Sequence, residues 1–212
     1  MSSFKDKLER VYQSGHDQQA LQQAYQDWAM SYDADLAAAG YAYFSLAPAI
    51  VAQHVRDSKA RILDAGVGTG RIGEFLALLG YDNITGIDLS DDMLQLARAR
   101  QAYKDLQRMD LGQRLAFADN HFDAVYTFGA FTTGHAPPQG YRELVRVTRA
   151  SGFLILALTD HARAGSGYGE LLDSLSEEGA LERIAQTPAF EVFPFDPAEQ
   201  GHLARVDVYR VN

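Results

Sequence analysis

A doubly wound α/β sheet, mostly parallel and carrying a helical N-terminal cap, is the fold class this sequence predicts. Three observations predict it. From Ala60 onward, short β-branched or aromatic runs alternate with longer stretches of helical spacing, the rhythm of a parallel sheet with helices on both faces. A strand-to-helix turn at 61–74 holds Gly66, Gly68 and Gly70. Asp64, Asp88 and Asp110 stand at the ends of successive predicted strands, the edge at which parallel sheets bind ligands.

The elements follow in order. Residues 1–57 are expected to form the cap. Leu21, Tyr25, Trp28 and Tyr32 recur at helical spacing and predict one amphipathic helix. A second helix is expected over 45–56, with Pro48 tolerated in its first turn. Strands are expected at 61–64, 83–88, 106–109, 122–128 and 152–159, with helices between them at 71–79, 91–103 and 139–148. Ser90 suits an N-cap, with Asp91 and Asp92 at the positive helix end. After Asp160 the rhythm breaks. A Gly- and Ala-rich stretch at 161–169 leads into a helix at 168–178. Strand-like runs at 189–195 and 204–211, joined by a polar turn, predict an antiparallel pair. The expectation is one domain over 1–212: a seven-stranded sheet at 58–212 with an antiparallel C-terminal strand, and a lid at 160–187.

Composition bounds the function. Hydrophobic residues make up 47% and charged residues 22% of the chain, which predicts a globular protein. The net charge is −9, and the scattered bases form no phosphate-binding patch, so nucleic acid is not the expected partner. Absence of cysteine excludes disulfides, thiolate metal sites and cysteine nucleophiles. The first ten residues lack the apolar core of a signal peptide, and the longest apolar run, 153–158, is far short of a membrane span. No membrane partner is expected, and a cytoplasmic protein is.

The glycine loop R-I-L-D-A-G-V-G-T-G-R-I-G-E at 61–74 carries the sharpest signal. Glycines let the backbone turn and approach a ligand, and free N–H groups at the helix start face it. Gly68, Gly70 and Gly73 also satisfy the dinucleotide fingerprint, with Asp88 placed to bind ribose hydroxyls. A tight packing turn is the plainer alternative. Asp64 separates the ligand classes: a carboxylate there opposes a pyrophosphate and suits a ligand bearing an amino group and a sulfonium. Asp110 either accepts from an adenine amino group, with Leu111 on the ring, or is a solvated loop acid.

These residues resemble the class I S-adenosylmethionine-dependent methyltransferases, whose fold is Rossmann-like. The resemblance rests on I-L-D-A-G-V-G-T-G at 62–70, G-I-D-L-S at 86–90, M-D-L at 109–111 and F-D-A-V-Y-T-F-G-A-F at 122–131. It extends through R-E-L-V-R-V-T-R-A-S-G-F-L-I-L from Arg142, where Ala150-Ser151-Gly152 replaces the common Pro-Gly-Gly turn. The resemblance implies S-adenosylmethionine as cofactor. Asp64 would orient its amino group through the loop, and Gly66, Gly68 and Gly70 would line methionine and ribose. Asp88 would bind both ribose hydroxyls, Leu89 would touch adenine, and Asp110 and Leu111 would hold its edge and face. Phe128 and Gly129 would lie beneath the sulfonium. Arg71, Met93 and Met109, within or beside these motifs, are assigned to the same ligand. Y-x-x-W-A-x-x-Y-D-x-D-L from Tyr25 and G-A-F-T-T-G-H at 129–135 resemble a methyltransferase-like group encoded in the Williams–Beuren deletion region, which implies nothing about the acceptor.

Methyl transfer from a sulfonium is an in-line displacement, so positioning and exclusion of water supply much of the rate, and a base is needed only if the acceptor must lose a proton. F-G-A-F-T-T-G-H after the fourth strand is not the Asn/Asp-Pro-Pro-Tyr run of amide- and base-nitrogen methyltransferases. A small-molecule acceptor is expected. His135 is the candidate base, against a plain surface or capping histidine. Tyr32 either closes over the cofactor or belongs to the core, Trp28 reads as core, and Tyr168 belongs to a lid or a plain loop. No metal is expected, since Asp119, Asn120 and His121 are consecutive and cannot converge on one ion. Two other functions stay open: an NAD(P)-dependent oxidoreductase, and a non-catalytic scaffold that keeps the cofactor pocket.

Overall fold

Apolar residues at alternate positions along the strands divide the core into two faces. In the computed structural model, which describes residues 3–14, 17–132 and 134–212, Ile62, Ile84, Ala124 and Ile155 point to one face. Leu63, Ala65, Ile87, Val125 and Leu154 point to the other. The period of two along a strand dictates this division. Burying each Leu- or Ile-sized side chain is worth roughly 2 kcal/mol.

The strands are β1 (Ile62–Ala65), β2 (Ile84–Asp88), β3 (Asp105–Arg108), β4 (Phe122–Thr127), β5 (Thr148–Thr159), β6 (Leu181–Gln186), β7 (Phe190–Glu191) and β8 (Leu203–Val211). Their order is β3-β2-β1-β4-β5-β8-β6, with β7 also paired to β8. β1 to β5 run parallel, and β8 is antiparallel to β5, β6 and β7. The sheet is therefore mostly parallel with an antiparallel C-terminal strand, and among the described residues it has eight strands where seven were expected. The run at 189–195 contributes only the two residues of β7, which pair antiparallel with β8 as expected, and β6 adds a longer antiparallel partner of β8. β6 escapes sequence reading because it is an edge strand: Glu182, Arg183 and Ile184 are exposed, so no apolar alternation marks it.

Among the described residues, four helices form the cap: α1 (Phe4–Gln13), α2 (Gln18–Trp28), α3 (Tyr32–Ala39) and α4 (Tyr43–His54). Ser3 and Asp6 close a capping box on α1, and Asp17 caps α2. The stripe from Leu21 to Tyr32 is not one helix. The chain turns after Trp28, and Tyr32 opens α3. Asp35 stabilises that break by accepting from Trp28 Nε1 at 2.8 Å, Ser31 Oγ at 2.9 Å and Lys7 Nζ at 2.7 Å. Trp28 itself is core. α4 begins at Tyr43 and not at 45, because Tyr43 is buried and the Ala42 N–H bonds the Val192 carbonyl at 3.0 Å. Pro48 consequently lies beyond the first turn.

α5 (Arg71–Leu78) packs with the cap helices on the first face, through Leu76. α6 (Asp91–Ala99) packs Leu94 and Ala97 against Val67 and Leu106. α7 (Gly140–Val147), α8 (Asp160–Gly165) and α9 (Tyr168–Glu177) cover the second face. The lid expected at 160–187 is thus α8, α9 and β6, with Tyr168, Leu172, Leu175 and Leu181 buried in the core. Apolar periodicity over 168–178 predicts the helix, and Tyr168, Leu172 and Leu175 are its buried face. In the turn before the outer part of β5, Ser151 adopts φ +61°. An L-residue there carries a cost of about 1 kcal/mol, so the replaced turn sequence affects stability.

Candidate active site

The carboxyl ends of β1, β2 and β4 border a cavity of about 320 Å³. The glycine loop after β1 makes its floor. Gly66, Gly68 and Gly70 all have positive φ, at +90°, +52° and +80°. The N–H groups of Gly66 and Val67 both donate to the Ile87 carbonyl at 2.9 Å, which ties the loop to the end of β2. A Cβ on Gly66 would stand 2.4 Å from the Ala130 Cβ, whereas one on Gly68 would meet nothing within 4 Å. Gly66 is therefore fixed by packing, and Gly68 opens on the cavity. Gly70 and Gly73 face Tyr103 instead, where a Cβ would come to 3.0 and 2.3 Å. They serve the close passage of that ring beneath the loop, and Gly70 does not line the cavity.

Asp88 lies at the centre of the floor. Its carboxylate accepts from the Gly68 N–H at 2.8 Å and from the Ser90 N–H at 2.9 Å. Burial raises its pKa, and the backbone N–H bonds oppose that rise. Free lone pairs toward the cavity suit a ligand with neighbouring hydroxyls. Leu89, Met93, Met109, Asp110 and Leu111 line the cavity, as do Phe128 and Gly129.

Asp64 is placed differently from the sequence expectation. Its side chain is buried under the loop and does not line the cavity. One carboxylate oxygen accepts from both the Tyr103 and the Tyr126 hydroxyls at 2.7 Å. Burial, partly offset by these bonds, pushes its pKa up to about 7. Arg71 also turns away: its guanidinium bonds Glu74 at 2.9 Å and lies 5.0 Å over the Phe75 ring.

The cap closes over the same cavity, with α2 against α6. Leu21, Gln22 and Tyr25 of α2, Tyr32 of α3 and Tyr41 beyond it face His135 and Pro137. The Tyr25 hydroxyl and His135 Nε2 are 2.7 Å apart. Tyr32 packs edge-on against Trp28 and Tyr25, so it is at once a core residue and part of the cavity wall. Tyr168 donates its hydroxyl to the carbonyls of Thr132 and Ala136 at 2.8 and 2.9 Å, which fixes the turn that carries His135. Thr133, in the run 129–135, lies outside the described residues. The cap is also tied to the loop itself. Asp33 accepts from the Thr69 hydroxyl at 2.6 Å and pairs with Arg100. Arg100 in turn reaches the Thr69 carbonyl at 2.5 Å and Glu74 at 2.6 Å.

Gln22, Tyr41 and Gln113 line the cavity and were not foreseen. Only Gln22 leaves a trace in the sequence, as a polar residue beside the apolar stripe. Tyr41 arrives through the turn at Gly40, and no local pattern announces it.

A family described as methyltransferase domain matches residues 63–156, the segment from β1 into β5. Human methyltransferase-like protein 27 is 32% identical over 170 residues, covering 79% of this chain and 66% of that protein. The phosphatidylethanolamine N-methyltransferase of Cereibacter sphaeroides is 29% identical, over 72% of this chain and 80% of its own length. The chain spans just under two thirds of the human relative. Among solved structures, a TehB-like SAM-dependent methyltransferase from Corynebacterium glutamicum superposes with a TM-score of 0.61 at 27% identity, covering 88% of this chain and 97% of that one.

Proposed function

The chain belongs to the class I S-adenosylmethionine-dependent methyltransferases, and we propose that it transfers the cofactor's methyl group to a small-molecule acceptor. The observation that carries this reading is Asp88, held by Gly68 and Ser90 N–H groups on the floor of a cavity whose glycine loop opens at Gly68. A carboxylate so placed accepts from two vicinal hydroxyls, and a loop without Cβ atoms lets the backbone approach the rest of the ligand.

Each residue then has a role in positioning. Asp88 would receive the ribose. Met93 and Leu111 would take the adenine face, and Asp110 its edge. Gly66 and Gly68 would line the amino-acid arm. Phe128 and Gly129 would meet the sulfonium, whose methyl group the cofactor would supply already activated. Asp64 acts from below: it holds Tyr103 and Tyr126, and through them the loop, and makes no contact of its own with the ligand. The cap excludes water through Tyr25, Tyr32 and Tyr41, so the in-line attack takes place in a low-dielectric site. His135 is the base when the acceptor must shed a proton, with Tyr25 fixing its ring. Walls from α2, α3 and the turn at 134–137 favour a small acceptor, and the net charge of −9 disfavours nucleic acid.

Transfer of labelled methyl from S-adenosylmethionine to members of a metabolite panel tests the reading. Turnover that His135→Ala reduces supports it. Tight S-adenosylhomocysteine binding with no turnover on any compound would favour a cofactor-binding scaffold.

A further inference from the structure

The acceptor end of the cavity has a charge as well as a shape. Among the described residues that line it there is no lysine or arginine. Arg100, which braces the glycine loop from the end of α6, is engaged by Asp33, Glu74 and the Thr69 carbonyl. Two acids, Asp88 and Asp110, line the cavity. Burial raises the pKa of Tyr25 and Tyr32, with Asp33 beside Tyr32 and Asp88 near both adding to the rise, so both phenols are neutral at physiological pH. Tyr25, Tyr32 and Tyr41 come from three separate stretches of the cap and line one space, with the Tyr25 and Tyr32 rings edge to face.

Resting on the methyl-transfer reading above, we infer that the acceptor is an amine, which enters as its ammonium form and seats among Tyr25, Tyr32 and Tyr41. An acid would lose its hydration here with no lysine or arginine of the chain to pair with, and beside Asp88. An ammonium gains on three counts. It donates N–H bonds to phenol oxygens, it is attracted to aromatic rings, and it meets the negative field of Asp88. The same features hold the methylated ammonium that transfer produces.

The proton path closes within the cavity. One ammonium proton passes to Tyr25 as the Tyr25 hydroxyl proton moves to His135 Nε2, 2.7 Å away. The freed nitrogen lone pair attacks the methyl carbon. The carbon–sulfur bond breaks with its pair on sulfur, leaving neutral S-adenosylhomocysteine and a methylated ammonium. His135 ends with the proton and releases it to solvent as the site opens.

Calorimetry on the protein saturated with S-adenosylhomocysteine tests this with three probes. Choline, which carries the charge and methyl groups of a methylated product but no N–H, and so isolates the attraction of charge and rings, is compared with dimethylbutanol, its isostere with carbon in place of nitrogen, and with pivalate, which carries the opposite charge. Choline is expected to bind at least about tenfold more tightly than dimethylbutanol, with pivalate weakest. Tyr25→Leu and Tyr32→Leu should bring the choline preference toward unity, while Tyr32→Phe keeps most of it, and all three variants should still bind S-adenosylhomocysteine. Choline binding no tighter than that of dimethylbutanol or pivalate, absence of choline binding included, overturns the amine and leaves the methyltransferase reading intact. Failure to bind S-adenosylhomocysteine at all overturns both.

Discussion

The Tyr25 hydroxyl lies 2.7 Å from Nε2 of His135, joining cap and sheet across 110 residues of chain. The cap is thus part of the reacting end of the cavity. With Asp33 bound to Thr69 of the glycine loop, each end of the cavity has its own tie to the same group of helices.

If His135 takes the acceptor proton, His135→Ala should lower kcat by about 100-fold, the usual size of a general-base contribution. The affinity for S-adenosylhomocysteine should stay within about twofold, as no cofactor contact is lost. Tyr25→Phe should lower kcat less, since it removes the partner and not the base. A comparison of kcat with the calorimetric Kd separates the two effects. A matched loss in both would mean that His135 only supports the fold.

Asp88→Ala should weaken S-adenosylhomocysteine by about 10- to 100-fold, the range for removing hydrogen bonds to a charged group. Its thermal midpoint is needed alongside, because the Gly68 and Ser90 N–H groups lose their acceptor too. Wild-type affinity in a folded Asp88→Ala protein would contradict the ribose assignment.

Gly66→Ala should destabilise the protein and abolish cofactor binding together. Its Cβ would stand 2.4 Å from that of Ala130, and φ is +90°. Adding Ala130→Gly should relieve the clash but not the cost of positive φ, roughly 1 kcal/mol. A thermal midpoint for the double variant between those of wild type and Gly66→Ala is the expected outcome.

The loop and the strand-end acids were legible in the sequence because their signals are local: three glycines between an apolar strand and a helix, and an acid where the next strand ends. What Asp64 does was not. Its partners Tyr103 and Tyr126 lie 39 and 62 residues away, and nothing near Asp64 says that its carboxylate turns down and not toward the ligand. The same holds for Arg71, whose place at a helix start suggests a ligand contact while Glu74 and Phe75 on its own helix capture it. β6 was missed because an exposed edge strand lacks alternation, and Tyr32 was assigned to the wrong helix because Asp35 stabilises a break inside a continuous apolar stripe.

Asp64 also gives a pH dependence with a definite sign. Its pKa is raised to about 7 in the folded state, against about 4 in an unfolded chain. Between those values the native protein binds the extra proton, so stability falls as pH rises from about 4 to about 7. Thermal midpoints across that range should decline more steeply in wild type than in Asp64→Asn, by about 4 kcal/mol at most. Equal slopes would mean that Asp64 is ionised in the fold throughout.

The cofactor is the centre of the account, and parallel thermal-shift titrations with S-adenosylhomocysteine, S-adenosylmethionine and NAD test it most directly. At a hundredfold excess over its Kd, a ligand of the folded state adds about 2.7 kcal/mol, or about 5–10 °C for a chain of this length. The account predicts that shift with both adenosyl compounds and none with NAD. A shift with NAD alone would contradict it and make the cavity a dinucleotide site.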